Sequence, residues 1–131
     1  YHGLDLLCIN ESELYSHYRA RSIPIEGLIL KLKGELKCKN LIITRGSNGS
    51  IGIDEVNQFV RCPSYTKNVV DRVGAGDAYL GSASIALGAG ASLKTAMFFA
   101  SIVAGEVVGS LGTGTTLQKN DLWKSIEALM K

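Results

Sequence analysis

The chain lacks a block of like charge. Fourteen Lys and Arg against twelve Asp and Glu leave a formal charge of +2, too small to argue for nucleic acid as a partner. The most basic stretch, Lys31–Lys39, alternates its lysines with Leu32, Glu35 and Leu36, the pattern of a solvated helix face. Cysteine is scarce as well. Cys8, Cys38 and Cys62 are widely spaced, with no C-x-x-C and no Cys/His cluster, so a zinc site is not expected. Cys8 and Cys62 lie in apolar, strand-like contexts and read as small buried hydrophobes in a reducing, cytoplasmic setting. The start, Tyr1-His2-Gly3, has no charged segment leading into an apolar block, and the longest apolar stretches are interrupted by Ser, Gly and Glu. Neither a signal peptide nor a membrane span is expected. Internal repeats and low-complexity tracts are absent. So are the dinucleotide fingerprint G-x-G-x-x-G and the Lys-Ser/Thr of a Walker loop, the two usual nucleotide motifs.

What is present is an ordinary globular composition. Of 131 residues, 46% are hydrophobic and 20% charged, enough for one domain with a real core. Leu4–Ile9 is a short apolar run and predicts a buried parallel strand. Asn10 then opens a helix to about Ala20, with Glu13 placed as the partner of a capping box. Ser22-Ile23-Pro24 starts a second helix reaching about Leu36. Leu41–Arg45 is a second buried strand, and strand–helix–strand alternation points to an α/β layered fold with a mostly parallel sheet. Gly46-Ser47-Asn48-Gly49 is a tight-turn signal, and Ser50–Asp54 and Gln58–Cys62 read as antiparallel strands around Glu55. Lys67–Val70 reads as a last short strand. The rest is helical: about Ala75 to Leu87, stopped by Gly88-Ala89-Gly90; a buried helix capped by Ser92 and running past Val107; a glycine loop over 109–114; and a final helix from about Lys119 to Met130.

Three stretches carry possible chemistry. Val70-Asp71-Arg72-Val73-Gly74-Ala75-Gly76-Asp77-Ala78 joins strands to helices. Its small residues let backbone approach a ligand, a helix starting near Ala75 adds positive dipole, and Asp77 could accept a proton from a hydroxyl. An anion cradle beside a base is the minimum equipment for phosphoryl transfer to an alcohol. Asn10-x-x-Glu13 sets an amide and a carboxylate on one helical face at the carboxyl end of a strand, where they could hold hydrated Mg²⁺. Thr44-Arg45-Gly46-Ser47-Asn48-Gly49 also follows a strand, at the sheet edge where α/β folds place ligands. Singly, each has a plainer reading as a turn, a cap or a hairpin. Their convergence on one edge favours a site.

These residues resemble a known family. Asp71-Arg72-Val73-Gly74-Ala75-Gly76-Asp77 is similar to the D-T-x-G-A-G-D signature of the PfkB/ribokinase family of sugar kinases. Asn10-x-x-Glu13 resembles its N-x-x-E motif and Thr44-x-Gly46-x-x-Gly49 its T-x-G-x-x-G segment, in family order. Phe98-Phe99-Ala100-Ser101 and Val107–Thr113 are similar to the kinase domain of bifunctional heptose-7-phosphate kinase/ADP-heptose synthase proteins. The resemblance implies a ribokinase-like (Rossmann-like) fold and ATP-dependent phosphorylation of a sugar or sugar phosphate, with heptose 7-phosphate the best guess. Asp77 would be the base, and Gly74, Ala75 and Gly76 the anion hole. Asn10 and Glu13 would organise Mg²⁺ through water. Thr44, Gly46 and Gly49 would line the ATP phosphates, with Ser101, Gly109 and Gly112 near the adenine. Asp71 and Val73 would adjoin a monovalent-cation (K⁺) loop. Arg72 stands where threonine is usual, and Ser101 where asparagine is common.

The family fold is much longer. Residues 1–131 therefore read as one domain, the C-terminal nucleotide-binding part, with the lid and most of the sugar pocket expected before Tyr1. Alone, such a part is expected to phosphorylate sugar poorly, and its uncovered sheet edge invites homo-oligomerisation. The alternative is a non-catalytic half-kinase that binds nucleotide or serves as an assembly module.

Overall fold

A computed structural model of the chain describes residues 4–19, 22–64 and 72–113, and side chains throughout these except at 72–75 and 106–113. The strand expected at Lys67–Val70 and the helix expected at Lys119–Met130 lie outside the described residues.

Strand β1 (Leu6–Asn10) runs into helix α1 (Glu11–Tyr18), and α2 (Ile25–Leu36) leads to β2 (Asn40–Thr44). β3 (Ser50–Ile53) and β4 (Phe59–Cys62) follow, then α3 (Arg72–Gly88) and α4 (Leu93–Thr113). The strands form one sheet in the order β1-β2-β3-β4. β1 and β2 are parallel, whereas β2–β3 and β3–β4 are antiparallel. The expected α/β layering is present, but the sheet is not mostly parallel among the described strands. The reason is local: Gly46–Asn48 makes one turn of 3₁₀ helix, too short for anything but a hairpin between β2 and β3.

Period-two alternation sorts the strand side chains onto two faces. Leu41, Ile43, Ile51 and Ile53 pack with Leu14, Leu28, Ile29 and Leu32 from α1 and α2. Ile42 and Cys62 pack with Tyr79, Ala83, Leu93, Met97 and Ala100 from α3 and α4. The product is an α/β/α sandwich in which β2 is buried from both sides. Gly52 explains how α4 comes so close: a Cβ there would lie 2.5 Å from Met97 Sδ and 3.1 Å from Leu93 Cδ2.

Local signals set most helix ends. Asn10 caps α1, its Oδ1 accepting from the Glu13 N–H at 2.8 Å. Pro24 stands at the cap position of α2, and Ser92 Oγ accepts from the Thr95 N–H at 3.3 Å at the start of α4. Two boundaries differ from expectation. α3 begins at Arg72 rather than near Ala75, so Gly74, Ala75 and Gly76 lie inside its opening turns. α4 continues to Thr113, so residues 109–113 are helical rather than loop. Glycine within a helix costs only about 1 kcal/mol relative to alanine, and no proline interrupts either stretch. No helix among the described residues is long and apolar enough to cross a membrane.

Gly52→Ala should destabilise the fold by about 1–3 kcal/mol in urea unfolding, because its methyl must displace Met97. The penalty should shrink in a Met97→Ala background. An equal penalty in both backgrounds would place the strain elsewhere.

Candidate functional site

The parallel register of β1 and β2 pairs Asn10 with Thr44. The hairpin then pairs Thr44 with Ser50, and Ser50 with Cys62. These four residues form a row across one sheet edge, and a cleft of about 730 Å³ opens over it. Asn10, Glu13, Thr44, Gly46, Gly49, Gly76, Asp77 and Ser101 all line this cleft. Residues from four separate stretches of sequence thus converge. Gly109 and Gly112 fall within α4 and are not among the described lining residues. Gly74, Ala75 and Val73 are in α3 with undescribed side chains, and Asp71 lies outside the described residues.

Asn10 and Glu13 bind each other twice. Besides the backbone cap, Asn10 Nδ2 donates to Glu13 Oε1 at 2.6 Å. This fixes one carboxylate oxygen and leaves the other without a partner among the described residues. Thr44 Oγ1 donates to the Ile9 carbonyl at 3.4 Å, tying the ends of β1 and β2 together. The loop beyond it closes on itself: the Arg45 N–H donates to Gly49 O at 2.8 Å and the Gly49 N–H to Gly46 O at 3.1 Å. Gly49 has φ +85°, and a Cβ there would sit 2.1 Å from the Cys62 carbonyl oxygen, so no other residue fits.

Gly76 and Asp77 are exposed on the cleft side of α3. A Cβ at Gly76 would meet nothing within 4 Å, which leaves room for a ligand against the helix backbone. Ser101 is buried, its hydroxyl donating to the Met97 carbonyl at 2.8 Å and lying 3.5 Å from Cys62 Sγ. It belongs to the wall between α4 and β4. Among the described residues no three His, Cys, Asp or Glu gather to hold a metal.

Two features escape reading by motif. Tyr79 is buried, and its hydroxyl lies 3.1 Å from Ser50 Oγ, joining α3 to the hairpin beneath the cleft. Burial pushes its phenol well above the ordinary value, so it stays neutral. Tyr79 also lines the cleft, and an apolar aromatic side chain within a turn of Asp77 was the available signal. Arg45 donates from Nε to Glu11 Oε2 at 2.5 Å, linking the loop after β2 to the first turn of α1.

The described residues thus form a three-layer α/β fold with a cleft at the carboxyl edge of its parallel strands, where such folds place ligands, and with Asp77 of α3 in its lining. The sequence model described as pfkB family carbohydrate kinase matches residues 2–120, and the chain belongs to that family. Bifunctional protein HldE of Pectobacterium atrosepticum is 36% identical over 118 residues, 88% of this chain and 24% of that protein. Ribokinase from Thermotoga maritima superposes with a TM-score of 0.78 at 25% identity, over 95% of this chain and 42% of that one. Phosphofructokinase-2 from Escherichia coli in complex with potassium gives a TM-score of 0.82 at 20% identity, over 99% and 42%. The fold is ribokinase-like. The chain spans about a quarter of the length of the HldE relative it matches.

Cys8 lies on the cleft floor, where burial, aided by the Glu13 charge, pushes its thiol from 9.0 up to about 12. The folded chain therefore keeps this proton through an interval in which the unfolded chain has lost it. Stability from this group is level below the unfolded value and falls as pH rises above it. In chemical denaturation between about pH 8 and pH 11, Cys8→Ala should show a shallower loss of stability than the native chain. Parallel curves would mean that the thiol is not shielded.

Proposed function

We propose that the protein containing this chain transfers the γ-phosphoryl group of ATP to a hydroxyl of a sugar or sugar phosphate, and that this chain is its nucleotide-binding, C-terminal part. The observation that carries the reading is the convergence of Asn10, Glu13, Thr44, Gly46, Gly49, Gly76 and Asp77 on one cleft. Asp77 takes the proton of the acceptor hydroxyl. That oxygen bonds to the γ-phosphorus as the bond to the β–γ bridging oxygen breaks, and ADP leaves. The start of α3, with Gly74, Ala75 and Gly76, supplies partial positive charge to the transferring group. The Thr44–Gly49 loop lies against the nucleotide phosphates, with Ser101, Gly109 and Gly112 toward the base.

The donor set fits Mg²⁺ rather than a metal caged by protein. Glu13 offers one free carboxylate oxygen beside Asn10, and Mg²⁺ keeps several waters while binding one or two carboxylates and substrate phosphates. When bound, the ion neutralises charge on the phosphates. A monovalent cation near Asp71 and Val73 belongs to the same proposal. Heptose 7-phosphate is the acceptor suggested by the likeness to HldE proteins and by the motifs of α4.

In the complete protein, Asp77→Asn should lower kcat by about 10²–10⁴ in sugar-dependent ADP release, with ATP still bound. An unchanged kcat would remove Asp77 as the base. ATP binding with no turnover of any sugar by the native protein would favour the non-catalytic alternative. Self-association is part of the same reading, supported by Leu80 and Ile85 on α3, 41% and 71% exposed. Sedimentation at high concentration should show species larger than one chain, and a clean monomer counts against it.

A further inference from the structure

The cleft is electrostatically odd for a phosphate site. Its charged lining among the described residues comprises three carboxylates, Glu11, Glu13 and Asp77, and a single cation, Arg45. A nucleoside triphosphate brings several negative charges against those carboxylates, so the disposition of that guanidinium decides whether the site attracts or repels its ligand.

Backbone register fixes where Arg45 sits. Asn10 pairs with Thr44 across parallel strands, so the next residues along each chain, Glu11 and Arg45, emerge side by side at the cleft edge. Arg45 Nε donates to Glu11 Oε2 at 2.5 Å, with the side chains 28% and 33% exposed. Among the described residues the guanidinium is hydrogen-bonded through this one nitrogen, while the Glu26 carboxylate feels its charge without bonding to it. Its two terminal nitrogens have no partner among the described residues. An ion pair this exposed contributes little to stability. Anchoring by Nε does, however, leave the planar fork of terminal N–H groups oriented and available, the geometry suited to bidentate phosphate binding. Neighbouring Gly46 has φ +58° and open space where a Cβ would stand, so it puts no side chain beside the guanidinium.

We infer that Arg45 is a polyphosphate-binding residue of the cleft and that Glu11 is the positioning residue that presents it. This deepens the kinase reading above and rests on it. The recognised group is the charged phosphate chain of the nucleotide, while the nucleoside end contributes independently of Arg45. Arg45 and Glu11 thereby form an element beyond the glycines and threonine of the same loop.

Calorimetric titration of the full-length protein with Mg²⁺-ATP and with adenosine tests this. Arg45→Gln should weaken ATP binding roughly tenfold or more and leave adenosine binding within about twofold. Arg45→Lys, which keeps the charge but not the fork, should fall between native and Gln. Glu11→Gln should weaken ATP binding severalfold with adenosine unchanged. If Arg45→Gln and Glu11→Gln lower the melting temperature while the ATP-to-adenosine affinity ratio stays native, the pair is merely structural and the inference fails. If the native protein binds ATP and Arg45→Gln binds it equally well, the inference fails and the kinase reading survives. If the native protein binds no ATP, both fall.

Discussion

Everything at the cleft depends on the register between β1 and β2. β2 is buried on both faces, Leu41 and Ile43 toward α1 and α2, Ile42 toward α3 and α4. A slip of one residue would turn each of these side chains to the opposite layer. The two cores therefore hold the strand in a single register, and that register sets Asn10 beside Thr44. Positions that act at the edge are thus specified by apolar residues that never reach it. The same hold extends sideways through the hairpin, where Ser50 stands opposite both Thr44 and Cys62. Tyr79 binds Ser50 and so ties α3, which carries Gly76 and Asp77, to the same row.

Much of this was legible in the sequence. The Asn10/Glu13 cap, the turn signal at Gly46–Gly49, the Glu55 hairpin and the Ser92 cap each act over three or four residues, and each is found where local chemistry puts it. The described residues of the three motifs also meet in one cleft, where the parallel strands β1 and β2 end at a common edge and α3 contributes Gly76 and Asp77. Sheet direction was harder to read. An apolar run such as Leu41–Ile43 announces burial but not the direction of its neighbour, and β3 turns back because only a single 3₁₀ turn separates it from β2. Two helix boundaries, the start of α3 and the end of α4, were misjudged for a related reason. Gly74, Gly109 and Gly112 read as loop by composition, yet these positions lie within α3 and α4. Long-range partners such as Tyr79 with Ser50 and Arg45 with Glu11 are 29 and 34 residues apart, beyond any local pattern.

The glycines of the loop after β2 show how a motif can mix structural and functional demands. Gly49 is required by its neighbours: its left-handed φ and the Cys62 carbonyl leave no space for a side chain. Gly46 also has a left-handed φ, but faces open space. A side chain there would strain the backbone and intrude on the cleft without disturbing β4. Of the two, Gly49 belongs to the packing of the hairpin, and Gly46 is the one that the proposed reading sets against a ligand.

Charge completes the argument. Neutral donors, small residues and a helix start make a polar cleft, but its carboxylates alone would oppose an anion. Glu13 spends one oxygen on Asn10, and Glu11 spends one on Arg45. Each pairing removes part of a carboxylate from the cleft's field, and the second also presents a cation at its rim. Asp77 is exposed on α3, and the one cation among the described lining residues, Arg45, stands on a different element, which leaves the carboxylate accessible for the base role proposed above. On the proposed reading, one edge of the sheet combines an acceptor for a proton with a guanidinium for phosphate, carried on different elements.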